Sequence, residues 1–138
     1  MIKESVRIGK YIEFPEFTDG RGSLCFGEFP KQMPFEAKRW FAIYRTPEGA
    51  IRGEHAHKHC QQIHICTHGS ARFSLDDGLN KESVLLHRHN TGYLLPPMVW
   101  HSLTMGYNSS LLVLCSHVYD ELDYIRNYDD FLKAVKAR

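Results

Sequence analysis

The sequence predicts an antiparallel all-β fold that ends in a short helix. Short runs of β-branched and aromatic residues recur at intervals of about ten residues, which is typical of sandwiches and barrels. Turn-forming residues separate these runs, for example at residues 19–22 and at the Asp-Gly pair within residues 76–80. A helical pattern occurs only near the end, where Phe131, Leu132 and Val135 form an apolar stripe.

Ten strands are expected from these runs, and a further segment at residues 52–62 is compatible with a strand. Pro30, residues 47–49 and residues 96–97 end three of them, since proline and glycine interrupt strands. Asp129 is a plausible N-cap for the helix, which we expect to cover one edge of the β structure. The expected strands are residues 6–8, 11–14, 23–29, 39–45, 61–66, 71–75, 83–86, 92–95, 100–105 and 110–116.

Length and composition indicate one globular domain, residues 1–138. A chain of 138 residues and 16.0 kDa has enough material for a single hydrophobic core. The net charge of +1 provides no general attraction to nucleic acid or to an anionic membrane. No apolar run approaches the roughly 20 residues of a membrane span, and the first residues are too charged for a signal peptide. We therefore expect a cytoplasmic protein with neither a nucleic-acid nor a membrane partner.

The main cluster of chemically active side chains lies at residues 52–62. It contains His55, His57 and His59 at alternate positions, so in an extended strand their imidazoles would share one face. The chain has only nine histidines, and a cluster this dense indicates an active centre rather than satisfied core residues. The isolated histidines are expected to be structural or exposed: His64, His68, His87, His89 and His117.

The pattern of His55 and His57, followed after a proline turn by His101, resembles that of the cupins. Metal-binding cupins also carry a glutamate four or five residues after the second histidine, where this sequence has Gln61 and Gln62. A neutral amide is a poorer ligand for a divalent cation than a carboxylate. The substitution favours proton transfer over metal binding, although three imidazoles can bind zinc without a carboxylate.

Proton transfer is also compatible with the residues around the histidine pair. Imidazoles have pKa values near neutrality, so one can accept a proton while its neighbour relays or returns one. The flanking Arg45 and Arg52 could stabilise negative charge on a substrate oxygen. This combination suits the removal of a proton next to a carbonyl group.

Four blocks of sequence resemble the sugar 3,4-ketoisomerases of dTDP-4-keto-6-deoxyglucose, the WxcM-like proteins. The resemblance extends from about Ile8 to the C-terminal helix. It implies a metal-free and cofactor-free cupin jelly roll, usually a homodimer, that moves a ketone from C4 to C3 of a dTDP-linked 6-deoxy sugar. The product normally feeds an aminotransferase that makes an amino sugar for a surface glycan or an antibiotic. The four blocks are residues 47–49, 52–62, 95–101 and 119–131.

Carried over by position, the family's catalytic histidines fall on His55, assigned as the base, and His57, assigned as the relay. The family also places a tyrosine and an arginine on the preceding strand, where Arg45 and either Tyr44 or the hydroxyl-free Phe41 are available. Candidates for binding the thymine, the diphosphate and the sugar are aromatic, basic or polar residues. They are Arg52, Lys58, Gln62, Arg72, Arg88, Trp100, His101, Tyr119 and Tyr124.

Three other functions are compatible with the sequence. One is a 3,5-epimerase of the same sugar nucleotide. Another is a metal-dependent cupin oxygenase or lyase that uses His55, His57 and His101. The third is a dTDP-sugar-binding protein that has kept the pocket and lost the reaction.

Overall fold

Two five-stranded antiparallel sheets pack face to face in the computed structural model, which describes residues 7–138. In spatial order, the first sheet contains β1 (Lys10–Glu13), β9 (Thr91–Leu95), β6 (Gln62–His68), β11 (Ser110–Cys115) and β4 (Arg39–Tyr44). The second contains β12 (Tyr124–Ile125), β5 (Ile51–His57), β10 (Trp100–Met105), β7 (Ala71–Asp76) and β8 (Lys81–Leu86). The remaining elements are a hairpin of β2 (Glu16–Asp19) and β3 (Gly22–Cys25), a 3-10 helix (Glu121–Asp123) and α1 (Tyr128–Lys136).

The predicted antiparallel all-β fold with a C-terminal helix is therefore confirmed, and the differences lie mainly at the N-terminal end. Val6 lies outside the described residues, and Ile8 is in a bend before β1. The predicted strand at residues 23–29 stops at Cys25, because its partner β2 is only four residues long. β2 itself was not predicted, since all four of its side chains are exposed and give no alternating pattern.

The core between the sheets comes from side chains that alternate along facing strands. On β10 and β11, Leu103, Met105, Leu111 and Val113 are buried, while the residues between them are more accessible. This period of two places every second side chain on the inner face. The inner face is not apolar throughout, since several buried histidines belong to the same strands.

Helix α1 covers the outer face of the second sheet, as predicted. Its Phe131 is fully buried against Ala56 of β5 and Ile125 of β12, with Leu132 and Val135 packed at the edge of this cluster. The N-cap is Asn127 rather than Asp129, because the Asn127 side chain accepts a hydrogen bond from the Asp130 amide at 3.0 Å.

None of the helices within residues 7–138 is long and apolar enough to cross a membrane.

We predict that Phe131→Ala will lower the free energy of unfolding by about 3–5 kcal/mol, because it removes a fully buried aromatic ring. Urea denaturation followed by circular dichroism would measure the change. Lys133→Ala, at an exposed position on the same helix, is the matched control and should change stability by less than about 0.5 kcal/mol. Equal effects of the two substitutions would contradict the assigned packing of α1.

Candidate active site

A cavity of about 400 Å³ opens between the two sheets at the end where the inner face becomes polar. Strands β4, β5, β6, β10 and β12 contribute to its wall, so both sheets are needed to form it. The wall combines basic, aromatic and aliphatic side chains with three histidines. The lining residues are Arg39, Phe41, Ile43, Arg52, Gly53, His55, Gln62, His64, His101, Leu103, Tyr124 and Arg126.

A β-bulge in β5 shapes this wall. His55 pairs with His101 and Gly53 pairs with Ser102, which leaves Glu54 without a partner on β10. Gly53 and Glu54 have φ angles of 87° and 60°, and a Cβ on Gly53 would lie 3.0 Å from the His101 carbonyl oxygen. Glycine is therefore required at position 53. Because the bulge breaks the alternation, Arg52 and His55 both face the cavity although they are three residues apart.

His55, His57 and His101 form a compact group of imidazoles. The ring centroid of His55 lies 5.0 Å from that of His57 and 4.7 Å from that of His101. His57 and His101 are buried, whereas His55 is partly accessible and lines the cavity. His57 therefore lies directly behind His55 as seen from the cavity. His59 does not continue this face, since β5 ends at His57 and His59 is exposed.

Asp123 fixes the orientation of His57. The Nδ1 atom of His57 lies 3.2 Å from a carboxylate oxygen of Asp123, which also accepts hydrogen bonds from the backbone amides of His59 and Cys60. An ionised carboxylate accepts but cannot donate, so Nδ1 carries the proton and Nε2 keeps its lone pair. Nε2 is buried and has no hydrogen-bond partner among the described residues, so it is free to exchange a proton.

Burial keeps the histidines of this region uncharged near neutral pH. Burial and the nearby His55 lower the pKa of His57 to about 4. Burial also lowers the pKa of His55, and it holds the pKa of His101 well below its ordinary value. A neutral imidazole can accept a proton, so these groups are in the state that a general base requires.

Tyr124 forms a lid over the two histidines of β5. Its ring centroid lies 4.4 Å from that of His57 and 5.0 Å from that of His55. The Arg126 guanidinium lies 4.4 Å from the centre of the Tyr124 ring and is held by hydrogen bonds of 2.6 and 2.9 Å to Glu121. This network positions a cation at the cavity wall next to an aromatic ring.

The structure brings together about half of the residues that the sequence analysis nominated. Arg52, His55, Gln62, His101 and Tyr124 line the cavity, and His57 adjoins it. Gln62 is buried, and its side-chain oxygen lies 3.2 Å from Nε2 of His64. Gln62, which stands where metal-binding cupins have a carboxylate ligand, therefore orients a further histidine, His64.

Tyr44 and Arg45 lie outside the cavity, so the structure does not bring these two predicted catalytic residues together with His55. Side chains alternate along β4, and it is Arg39, Phe41 and Ile43 that face inward. Tyr44 is 60% exposed on the opposite face, and the Arg45 guanidinium packs 5.5 Å from the centre of its ring. On β4 the aromatic side chain of the cavity wall is therefore Phe41, which has no hydroxyl group.

Several proposed substrate-binding residues also lie elsewhere. Lys58 is exposed beyond the end of β5, and Tyr119 is exposed beside Tyr124 without lining the cavity. Trp100 faces outward, because it alternates with His101 on β10, and it packs against Tyr128 and Phe131 of α1.

The last two proposed cations are also outside the cavity. Arg72 is exposed on β7, where alternation places it opposite the inward-facing Phe73, and its guanidinium lies near the Ser83 hydroxyl. Arg88 follows β8 and borders a separate surface hollow with Tyr11. Neither is among the residues that line the cavity beside His55.

Sequence reasoning missed Arg39, His64, Arg126 and Asp123. Arg39 lies two residues before Phe41 and shares its face, but the sequence does not show which face of β4 is buried. His64 likewise lies two residues after Gln62 on β6, and burial lowers its pKa to about 3. Asp123 had no local signal, because it lies 66 residues from His57 in the sequence.

The geometry permits a metal at the three-histidine group, but its electrostatics favour an anion. One ring nitrogen from each of His55, His57 and His101 lies within 4.8 Å of the others. These ligands carry no negative charge, and Arg39, Arg52 and Arg126 line the same cavity. A divalent cation would be repelled by these guanidinium groups, whereas a diphosphate or an enediolate would be attracted.

Comparison with known proteins identifies the family of this chain. Residues 8–136 match the family model FdtA, described as WxcM-like, C-terminal. The TDP-4-oxo-6-deoxy-alpha-D-glucose-3,4-oxoisomerase of Aneurinibacillus thermoaerophilus is 40% identical over 127 residues, which cover 91% of each chain. A 3,4-ketoisomerase from Helicobacter canadensis has a solved structure with a TM-score of 0.90 and 41% identity, covering 93% of this chain and 97% of that one.

A third relative was solved with a sugar nucleotide bound. It is a histidine-to-asparagine variant of the 3,4-ketoisomerase QdtA from Thermoanaerobacterium thermosaccharolyticum, in complex with TDP-4-keto-6-deoxyglucose. Its TM-score is 0.92 at 32% identity, covering 96% of this chain and 97% of that one. The near-complete match to the family model and these relatives show that the chain belongs to the FdtA family of WxcM-like sugar 3,4-ketoisomerases.

Proposed function

We propose that this chain is an isomerase that converts dTDP-4-keto-6-deoxyglucose into a dTDP-linked 3-keto-6-deoxyhexose. The observation that carries the proposal is the pair of uncharged imidazoles, His55 and His57, beside a cavity lined by three arginines. The curated relative that is 40% identical is named for the same conversion.

The reaction requires one proton to move from C3 to C4. The C3 proton is acidic because it lies next to the C4 carbonyl, and His55 is the imidazole placed in the cavity wall to remove it. The electron pair left behind forms a C3–C4 double bond and places negative charge on O4. A proton then moves from O3 to O4, and return of a proton to C4 leaves a hydroxyl at C4 and a ketone at C3.

His57 suits the relay role because it lies one ring behind His55 and is oriented by Asp123. With Nδ1–H directed at the Asp123 carboxylate, Nε2 can accept a proton and give it back. As the imidazolium forms, the carboxylate stabilises its charge. We therefore assign to His57 the transfer of the proton from O3 to O4.

The arginines supply the electrostatic part of the site. Arg39, Arg52 and Arg126 line the cavity and can stabilise the enediolate or hold the diphosphate. The Nε–H of Arg39 is buried without a hydrogen-bond partner among residues 7–138, so it is available to an oxyanion. Of the aromatic residues that the sequence suggested for substrate binding, Tyr124 lines the cavity, and we assign it to contact the substrate.

Family membership supports further details of the proposal. They are a homodimer in the cytoplasm that uses no cofactor, and a product that an aminotransferase converts into an amino sugar for a surface glycan or an antibiotic. The absence of a hydroxyl on Phe41 distinguishes this chain from the family pattern on that strand. We therefore place the proton transfers on the histidines and not on a tyrosine of β4.

His55→Asn is expected to abolish formation of the 3-keto product, because the amide cannot accept the C3 proton. Proton NMR of the purified protein with dTDP-4-keto-6-deoxyglucose in deuterated buffer, with and without a chelator, reports both the product and the exchanged carbon. His59→Asn, in the exposed histidine two residues beyond β5, is the matched control and should retain turnover. Turnover by His55→Asn at the unaltered rate would refute its role, and deuterium at C5 would indicate an epimerase.

Arg52→Gln is expected to raise KM by roughly 10- to 100-fold, because it removes a charge-assisted hydrogen bond to the anionic substrate. Arg45→Gln removes the same charge from an exposed position outside the cavity and should leave KM unchanged. Initial rates over a range of substrate concentrations would separate KM from kcat. A larger effect of Arg45→Gln than of Arg52→Gln would contradict the β4 register described above.

The pH dependence of kcat/KM should follow the protonation of His55 in the free enzyme. Burial lowers its pKa below the ordinary value of 6.5, so the proton-accepting form persists as the pH falls through 6.5. We expect kcat/KM to stay constant from neutral pH through this point and to decrease only at lower pH. Circular dichroism at each pH would control for unfolding, and an acid limb centred above 6.5 would oppose this assignment.

A further inference from the structure

We propose that His57, Cys60 and Asp123 form a binding site for Zn²⁺ on the side of His57 that faces away from the cavity, and that zinc bound there inhibits the enzyme. The binding site stands on the structure alone, whereas the inhibition rests on the proposed function. The site shares His57 with the three-histidine group, but its other two donors, Cys60 and Asp123, do not belong to that group.

The geometry of the three donors suits a small divalent metal. One nitrogen of His57, the sulfur of Cys60 and one oxygen of Asp123 all lie within 4.8 Å of one another. Bond lengths of about 2.0–2.3 Å place donors around tetrahedral zinc roughly 3.3–3.6 Å apart. The 3.2 Å between His57 Nδ1 and Asp123 is close to this range already, and the sulfur need move by only about 1.2 Å at most.

The chain conformation holds these donors in place without a metal. His57 and Cys60 are separated by two residues, a spacing that zinc sites use often. The turn between them is fixed by the Asp123 carboxylate, which accepts hydrogen bonds from the His59 and Cys60 amides at 2.8 and 3.3 Å. The site is therefore largely organised before a metal arrives.

Charge and donor type distinguish this site from the three-histidine group. A thiolate and a carboxylate together neutralise a divalent cation, whereas three imidazoles do not. Asp123 is 13% exposed, which provides a path from solvent to a site whose other donors are buried.

Zinc at this site would remove the relay function of His57. The metal binds the lone pair of Nδ1, so the single ring proton of neutral His57 moves from Nδ1 to Nε2. The thiol proton of Cys60 is released to solvent as the Zn–S bond forms. Nε2 then has no lone pair, and His57 cannot accept a proton from the substrate side.

Cobalt provides a direct readout of the proposed ligands. Co²⁺ added to the metal-free protein should produce a thiolate-to-cobalt charge-transfer absorption in the near ultraviolet, with one ion bound per chain. Because Cys25 is an exposed thiol, all measurements use a Cys25→Ser background. No saturable binding of Co²⁺ or Zn²⁺ would overturn the proposal.

Substitution of Cys60 is the decisive comparison. Cys60→Ser should abolish the charge-transfer band. It should also weaken zinc binding by at least roughly 10- to 100-fold, which is the cost of losing a residue that only hydrogen-bonds to a metal ligand. Cys66→Ser, at an equally buried thiol on β6 outside the cluster, is the matched control and should retain both. Zinc binding that survives Cys60→Ser unchanged but is lost in His101→Asn would place the metal at the three-histidine group and overturn the proposal.

Turnover measurements test the second half of the proposal. Zinc should inhibit the isomerisation reversibly, with activity restored by a chelator, and Cys60→Ser should keep basal turnover while resisting inhibition. The metal-free protein could fail to isomerise the substrate while the cobalt-loaded protein shows the thiolate band. That result would refute the proposed function but would support the proposed metal site. Inhibition that is equal in the Cys60→Ser and Cys66→Ser variants would refute the link between this site and turnover.

Discussion

The contact between the Asp123 carboxylate and His57 joins the C-terminal segment to β5, the strand that contains His55 and His57. Asp123 ends the 3-10 helix immediately before β12, and β12 pairs with the last residues of β5 through Tyr124 and Ile125. The same carboxylate fixes the turn after β5 through two backbone amides. One side chain therefore sets the tautomer of an imidazole, the end of a strand and the position of the aromatic ring above it.

Burial and charge have different effects on the imidazoles and on the arginines of the site. The imidazoles are kept neutral by desolvation, so they are proton acceptors, while the arginines of the cavity wall keep their charge and attract anions. Such a cavity binds an anionic substrate and its enolate-like intermediate more readily than a cation. The amide of Gln62, where a metal-binding cupin has a carboxylate, serves the same end by orienting His64 without adding negative charge.

Features that depend on strand periodicity were predictable from the sequence. The alternation of His55 and His57, and the return of His101 after a proline turn, predict three imidazoles that lie close together. The register of β4 was not predictable, because Trp40 and Tyr44 on one face are as apolar as Phe41 and Ile43 on the other. The aromatic residues of the exposed face are normal at a surface, and hydrophobicity alone cannot orient such a strand.

Two other features lie beyond local pattern. The bulge at Gly53 and Glu54 depends on the close approach of the His101 carbonyl, which no neighbouring residue reveals. Without it, Arg52 and His55 would be assigned to opposite faces. Asp123 acts through a pairing of β12 with β5 that spans two residues on each strand, too short for a sequence signal.

The dependence of His57 on Asp123 also bears on how the protein matures during synthesis. On a ribosome, β5 emerges well before the segment that contains Asp123, Tyr124 and Phe131. Most of both sheets can pair while the catalytic strand still lacks its edge partner, the ring above its histidines and the helix behind Ala56. A chain that had formed both sheets without this segment would therefore lack the carboxylate that orients His57 and the ring of Tyr124 beside it.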